Sequence, residues 1–170
     1  DTTDANGDVS VVWTLGSAVG AQAVTATAGS LTTSPISATA TPAGAARLVF
    51  AVQPSNANAG QVLTPAVQVA AQDSFGNTVT GYTGTVAIAI GANPGSASLG
   101  GTALVAAVGG VATFSNLTLS NGGTGYTLLA TATGLTTATS AFFNVIGGLP
   151  AQLAFVVQPA TTAAGSAITP

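Results

Sequence analysis

The sequence predicts an all-β protein organised as tandem β-sandwich domains. Two local observations support this prediction: short stretches in which apolar and polar residues alternate, and turn-forming residues between those stretches. A third is an internal repeat with an offset of 105 residues. No stretch carries a sustained helical period, so we expect sheets packed on sheets rather than helices.

Period-two alternation predicts the strands of the central part of the chain. It places one set of side chains on each face of a strand, and the more apolar set faces the core. Turn residues such as Asp73–Asn77 and Asn121–Gly123 separate the strands. The expected core positions are Leu48, Phe50 and Val52; Val67, Val69 and Ala71; Val86, Ile88 and Ile90; Tyr126, Leu128 and Ala130; and Phe143 and Val145.

The internal repeat sets the domain length. Residues 46–65 recur as residues 151–170 without a gap, and ten of the twenty aligned positions are identical. A second echo relates Thr25–Thr33 to Thr131–Thr137 at nearly the same offset. A repeat of this length matches one β-sandwich domain and is too long for the units of a solenoid.

The repeat divides the chain into three parts. We expect residues 1–44 to be the closing part of one domain, residues 45–148 a complete domain, and residues 149–170 the first strand or strands of a third. The linkers at 42–44 and 147–150 are short and contain proline, which favours a stiff string of domains. We expect the sequence to be a window on a longer chain.

The composition argues against an enzyme. Charged residues make up 3% of the chain, which contains no His, Cys, Lys or Glu. Ser and Thr are abundant but have no His or Lys beside them to act as the base that nucleophilic catalysis requires. With Arg47 as the single cation, we also expect no nucleic-acid partner. The absence of Cys means that the sandwiches form without disulfides.

The mean hydropathy of +0.60 raises the question of a membrane segment. The longest uninterrupted run of apolar residues and glycine, from Ala103 to Ala112, is about ten residues. A spanning helix needs about 18 or more. We therefore expect a chain that does not span a membrane, with its hydropathy distributed over many short strands.

A candidate calcium site lies near the start of the sequence. Asp4, Asn6 and Asp8 place oxygen ligands at alternate positions, as at the start of a calcium loop. However, Val9 and Leu15 stand where an EF-hand loop has its glycine and its bidentate glutamate. The alternative, which we favour, is a turn whose side chains bind the local backbone. We expect no other metal site and no cofactor.

Two further positions have a functional and a structural interpretation. Asn116-Leu117-Thr118 has the form of an N-glycosylation site, but we expect a strand there with Leu117 and Leu119 in the core. The outer faces of the strands are rich in Ser and Thr and could carry O-glycans. Trp13 could stack on a sugar if exposed; its alternation with Val11 and Leu15 instead favours a core position.

Several motifs resemble those of bacterial Ig-like domains. The resemblance covers nearly the whole chain, and its motifs consist mostly of turns and core positions. The early motifs are similar to the closing half of Ig-like domains of the invasin and intimin type, and the later ones to related tandem repeats of long bacterial surface proteins. They comprise Thr3–Gly7, Thr14–Leu15, Gly20 and Val24–Ala26, and then Gln72–Val86 and Gly110–Leu117.

This resemblance implies Ig-like Greek-key sandwiches in tandem, secretion to the cell surface or the extracellular space, and no catalytic residues. It also implies that Tyr126 occupies the place of the tyrosine corner of Ig domains, with Leu128 where they often carry a cysteine. The aligned residue in the first, partial domain is Gln22, so the corner is not constant.

The outward positions of the predicted strands carry small apolar residues. Edge strands normally carry Lys, Glu or Pro as guards against pairing, and these are scarce here. Either the surface is simply made of small residues, as on a hot- or acid-adapted protein, or these faces are buried against other domains or subunits. The positions expected to point outward are Val49, Ala51, Ala70, Ala87, Ala89, Ala154 and Val156.

These expectations favour a structural role. We expect a component of an extracellular bacterial fibre, stalk or surface layer, whose partners are copies of itself or neighbouring Ig-like domains. The alternative is an adhesin segment that presents a carbohydrate- or protein-binding tip domain.

Overall fold

The computed structural model describes residues 3–148, 154–157 and 161–167, and these residues form strands, turns and extended segments. Within them, no helix has the length and apolar character needed to cross a bilayer. The strands are β1 (Gly20–Val24), β2 (Thr27–Ala28), β3 (Leu31–Thr32), β4 (Ile36–Ala40), β5 (Arg47–Val52), β6 (Ala57–Asn58), β7 (Val67–Gln72), β8 (Thr85–Ile90), β9 (Leu99–Gly100), β10 (Leu104–Ala106), β11 (Val111–Phe114), β12 (Thr118–Leu119), β13 (Gly123–Tyr126), β14 (Leu128–Thr131), β15 (Ala138–Thr139) and β16 (Phe143–Ile146).

The sandwich lies within residues 45–148, which are called the central domain, and its first sheet is built around β7. Strands β5 and β11 pair with β7 on either side, both antiparallel. The β9–β12 pair extends this sheet through Val62 and Leu63, which precede β7. Leu63 N–H donates to the Leu117 carbonyl at 2.8 Å, and Val62 forms a β-bridge with Thr118 of β12. The β-branched and apolar residues of these strands suit a pleated, half-buried surface.

The second sheet contains β8 at its centre, between β10 and β14. Strand β14 continues the direction of β13, and these pair with β15 and β16 respectively. Strand β6 adds to β16 in parallel, at Val145↔Ala57 and Ile146↔Asn58. The connections from β7 to β8 and from β12 to β13 pass from one sheet to the other, as in a Greek-key sandwich.

The core lies between the two sheets and confirms the predicted alternation. Of the predicted core positions, only Val52 and Ile90 are half-buried, and the rest are buried. The largest side chains in this cluster, Tyr126 and Phe114, are 0% and 1% exposed. Every buried side-chain nitrogen or oxygen in the described residues has a hydrogen-bond partner. The all-β sandwich fold predicted from the sequence is therefore present, without cysteine.

The part of the chain before residue 45 forms an antiparallel hairpin. Strands β1 and β4 pair from Gly20↔Ala40 to Val24↔Ile36, and the short strands β2 and β3 extend this hairpin towards its turn. No strand occurs over Val11–Leu15, where alternation predicted one: Val11 is exposed and Trp13 only half-buried. The strand predicted from residue 149 onward falls largely outside the described residues.

Candidate functional site

Asp73 is the one charged side chain that is buried among the described residues. It follows β7 directly, at the start of the loop 73–77 that connects this strand towards β8. The loop closes on itself because Asp73 N–H donates to the Asn77 carbonyl at 2.9 Å. Gly76 allows this turn: its φ of +96° is a backbone conformation that favours glycine.

The Asp73 carboxylate organises this loop. Oδ1 accepts hydrogen bonds from the N–H groups of Phe75 at 3.0 Å and Asn77 at 2.8 Å. Oδ2 accepts from Asn77 Nδ2 at 2.9 Å and from the N–H of Ala43 at 3.1 Å. Four donors converge on one buried carboxylate, which is the arrangement that makes a buried charge tolerable.

These contacts keep Asp73 ionised. Burial by itself would raise the pKa of this carboxyl group, because it disfavours the charged form. The side chain of Asn77 and the N–H groups of Asn77, Ala43 and Phe75 outweigh burial and lower the pKa of Asp73 to about 2. The site therefore holds a fixed negative charge near neutral pH, where it has no proton to donate and is only a weak base.

The same loop contacts the preceding part of the chain at two points. Ala43, which binds Asp73, lies in the linker, 30 residues earlier in the sequence. Asn77 Nδ2 also donates to the carbonyl of Ser17 at 2.8 Å. A cleft of about 480 Å³ lies at this contact, lined by Leu15, Gly16, Ser17, Thr41, Pro42, Ala43, Asp73 and Phe75.

The segment that receives Asn77 is itself braced. Gln22 Oε1 accepts the N–H of Gly16 at 2.7 Å, and Gln22 Nε2 donates to the carbonyl of Ala18 at 2.9 Å. In the central domain the side chain of Tyr126 also binds the backbone that precedes it: its hydroxyl donates to the Asn121 carbonyl at 2.9 Å, five residues upstream. This bond confirms the predicted tyrosine corner. Gln22, which the internal repeat aligns with Tyr126, binds the upstream backbone through its side-chain amide and not through a hydroxyl.

The candidate calcium residues form a turn. Asp4 Oδ1 accepts the N–H groups of Asn6 at 2.8 Å and Asp8 at 2.9 Å, and the backbone closes from Asp4 N–H to the Asp8 carbonyl at 2.8 Å. Hydrogen bonds from the backbone of Asp8 and then Asn6 lower the pKa of Asp4. This is the local geometry of the turn interpretation. In the part of the chain that the structure describes, no three His, Cys, Asp or Glu residues group together as metal ligands would.

The Asn116 side chain is already engaged. Its Oδ1 accepts the N–H of Thr102 at 2.8 Å, and its Nδ2 donates to Thr102 Oγ1 at 3.1 Å. Leu117 and Leu119 are buried as predicted, whereas Asn116 lies in the bend before β12. The amide of Asn116 thus joins two turns of the domain.

The outer faces of the two sheets carry almost no charge. Between residues 45 and 148 the only charged residues are Arg47 and the buried Asp73. On the second sheet, Leu104 lies beside Ala87, which in turn lies beside Thr131. Leu104 is 65% exposed and belongs to β10, which is at the sheet edge. A shallow depression of about 460 Å³ follows this row.

Of the predicted outward positions, those on strands β5 and β8 are confirmed, and Ala70 is an exception; Ala154 and Val156 lie in a segment, 154–157, that forms no strand and is exposed throughout, so they do not test the alternation. Ala51, Ala89, Ala154 and Val156 are exposed, and Val49 and Ala87 are half-buried. Ala70, in contrast, is only 4% exposed. It sits on the central strand β7 directly between Val49 and Val111, and these two larger side chains cover the small one.

The fold is assigned from the pairing of strands β5 to β16 alone. Comparisons with known proteins add distant likenesses, among them two bacterial glycoside hydrolases. No family model matches the chain, and no curated protein matches it. A β-glycosidase from Bacteroides vulgatus is similar at 13% identity and a TM-score of 0.49, over 79% of this chain and 18% of that one. A glycosyl hydrolase family 2 member from Bacteroides cellulosilyticus is similar at 13% identity and a TM-score of 0.49, over 78% and 18%. The chain therefore spans less than a fifth of either enzyme's length.

Proposed function

We propose that this chain is a structural, non-catalytic segment of an extracellular bacterial fibre, stalk or surface layer, in which Ig-like sandwiches associate with copies of themselves. One observation supports this proposal above the others: the central domain exposes a single charged side chain, Arg47. Soluble domains normally carry about 25% charged residues. Charge of that amount keeps proteins apart, and its shortage removes repulsion between copies.

The exposed row on the second sheet is the surface that we expect to associate. Leu104, Ala87 and Thr131 lie side by side on the outer face, and among the described strands β10 pairs with β8 alone. Edge strands without charged or proline guards are open to pairing with another chain. Small side chains such as alanine let two sheet faces approach closely, so dispersion contacts accumulate over the face.

The experiment is sedimentation velocity over a concentration series, with electron microscopy of the same samples. We expect the parent chain to assemble as its concentration rises, and assembly to change little with salt because the faces are uncharged. Leu104→Glu places a charge on the exposed row and should shift the population towards monomer.

Ser115→Glu is the matched control, because it adds the same charge at an exposed turn between β11 and β12. It should assemble like the parent chain. A parent chain that stays monomeric throughout the series would contradict the proposal and favour the adhesin alternative. Equal assembly of the two glutamate variants would show that this row is not the contact.

A further inference from the structure

We infer that the loop 73–77 is a docking surface for the preceding Ig-like unit, and that its hydrogen bonds lock the joint between the two units in one orientation. The partner that this loop fits is the closing half of a sandwich together with its linker. The joint lies within one chain and needs no association between chains. The inference therefore does not depend on the proposed function, and the two are tested separately.

The first step of the argument is that the loop is rigid before it meets its partner. Three of the four donors to the Asp73 carboxylate come from the loop itself: the N–H groups of Phe75 and Asn77 and the side chain of Asn77. A side chain and backbone held in this way lose little further freedom on contact, which lowers the entropy cost of docking.

The second step is that the loop directs two donor–acceptor contacts at the preceding unit. Asp73 Oδ2 accepts from the N–H of Ala43 at 3.1 Å, and Asn77 Nδ2 donates to the Ser17 carbonyl at 2.8 Å. The contacts run in opposite senses, and they reach points 26 residues apart in the sequence. Two separated anchor points restrict rotation about a linker far more than one would.

The third step is that both receiving points are themselves fixed. Ser17 lies between Gly16 and Ala18, which the Gln22 amide binds from β1. Ala43 follows Pro42, whose ring fixes its own φ and limits the linker. Leu15, Pro42 and Phe75 line the same cleft, so apolar surface accompanies the polar contacts.

The fourth step concerns the charge at the joint. The Asp73 carboxylate is shielded from solvent, and its hydrogen bond to Ala43 is charge-assisted. Hydrogen bonds to an ionised group contribute more than those between neutral groups. Opening the joint would remove one of the four donors from this carboxylate, which favours the closed arrangement.

The test measures the distance between the two units directly. The chain has no cysteine, so spin labels can be placed at Thr39→Cys on β4 and Thr113→Cys on β11, both exposed. Double electron–electron resonance on this pair should give one narrow distance distribution. Amide hydrogen exchange at Ala43 should be slowed about ten-fold or more relative to an unstructured peptide.

Asn77→Ala removes the bond to Ser17 and the side-chain bond to Asp73 Oδ2, leaves the bond from the Asn77 N–H to Asp73 Oδ1 in place, and should broaden the distribution. Asn116→Ala is the control: it removes an exposed amide whose two hydrogen bonds in the described structure both join it to Thr102 within the central domain, and it should leave the distribution narrow. A broad distribution in the parent, or an Ala43 amide that exchanges freely, would overturn the inference even if Asn77→Ala failed to fold. Equal widths in the parent and Asn77→Ala would overturn it as well.

Discussion

Removing the hydroxyl of Tyr126 tests the tyrosine corner in isolation. Tyr126 is 0% exposed, and its hydroxyl donates to the Asn121 carbonyl at 2.9 Å. Tyr126→Phe deletes that bond and keeps the ring, which packs against Phe143 with centroids 5.9 Å apart. A hydrogen bond of this kind contributes about 1 kcal/mol to the free energy of unfolding.

That magnitude converts into a measurable shift. Unfolding entropy is about 2.1 cal/mol/K per residue, so a sandwich of roughly one hundred residues has about 0.2 kcal/mol/K, and a loss of about 1 kcal/mol lowers Tm by about 5 °C. Tyr126→Ala also removes the ring from the core and should destabilise by about 3–5 kcal/mol. Far-UV circular dichroism is the suitable probe, because Trp13, the only tryptophan, lies outside the central domain.

The chain supplies its own control. Tyr82 packs half-buried against the same core, and the described structure shows no hydrogen bond from its hydroxyl. Tyr82→Phe should therefore leave Tm within about 2 °C of the parent, the range of ordinary surface substitutions. If both Phe variants shifted Tm equally, the corner bond would not be what stabilises this end of the sandwich.

Two further predictions concern the joint and the core. Because hydrogen bonds lower the pKa of Asp73 to about 2 from an ordinary 3.8, its contribution to stability is present above pH 3.8 and is lost as the pH falls towards 2. The Tm should therefore be constant from about pH 5 to 9 and fall below pH 3.8. Asp73→Asn should reduce this fall in Tm at acid pH. An unchanged fall in the variant would show that groups other than Asp73 cause it. Leu128→Ala, at a side chain 0% exposed, should lower the free energy of unfolding by about 2–5 kcal/mol in urea, whereas Leu104→Ala should change it by about 0.5 kcal/mol or less. Similar losses in the two variants would contradict the assigned core.

The sequence predicts the sandwich well because the two faces of a strand appear in the sequence as alternating apolar and polar residues. Period-two alternation identified Phe50, Val69 and Leu128 as buried, and each lies in the core. It failed for Ala70 because the burial of so small a side chain depends on its neighbours across the sheet. It failed for Val11 because alternation alone does not provide a pairing partner.

The joint shows where sequence reasoning stops. Asp73 and Asn77 were recognisable as turn residues, since both side chains commonly bind nearby backbone. Their contacts with Ala43 and Ser17 join positions 30 and 60 residues apart. Such distances depend on the path of the whole chain. The one signal in the sequence was Asp73 itself, an acidic residue in a loop of a protein that has very few charged residues.

The parallel pairing of β6 with β16 determines how the central domain responds to tension. Strand β6 belongs to the opening segment of the domain, and β16 to its last. Strand β5 precedes β6 and pairs with β7. Once β5 has separated, pulling the two ends of the domain apart draws β6 and β16 in opposite directions along their own axes. The pairs Val145↔Ala57 and Ile146↔Asn58, and the bond from Ala59 N–H to the Ile146 carbonyl at 2.8 Å, are then strained together in shear. A pulled array of such domains would have to break these bonds at once, not one after another.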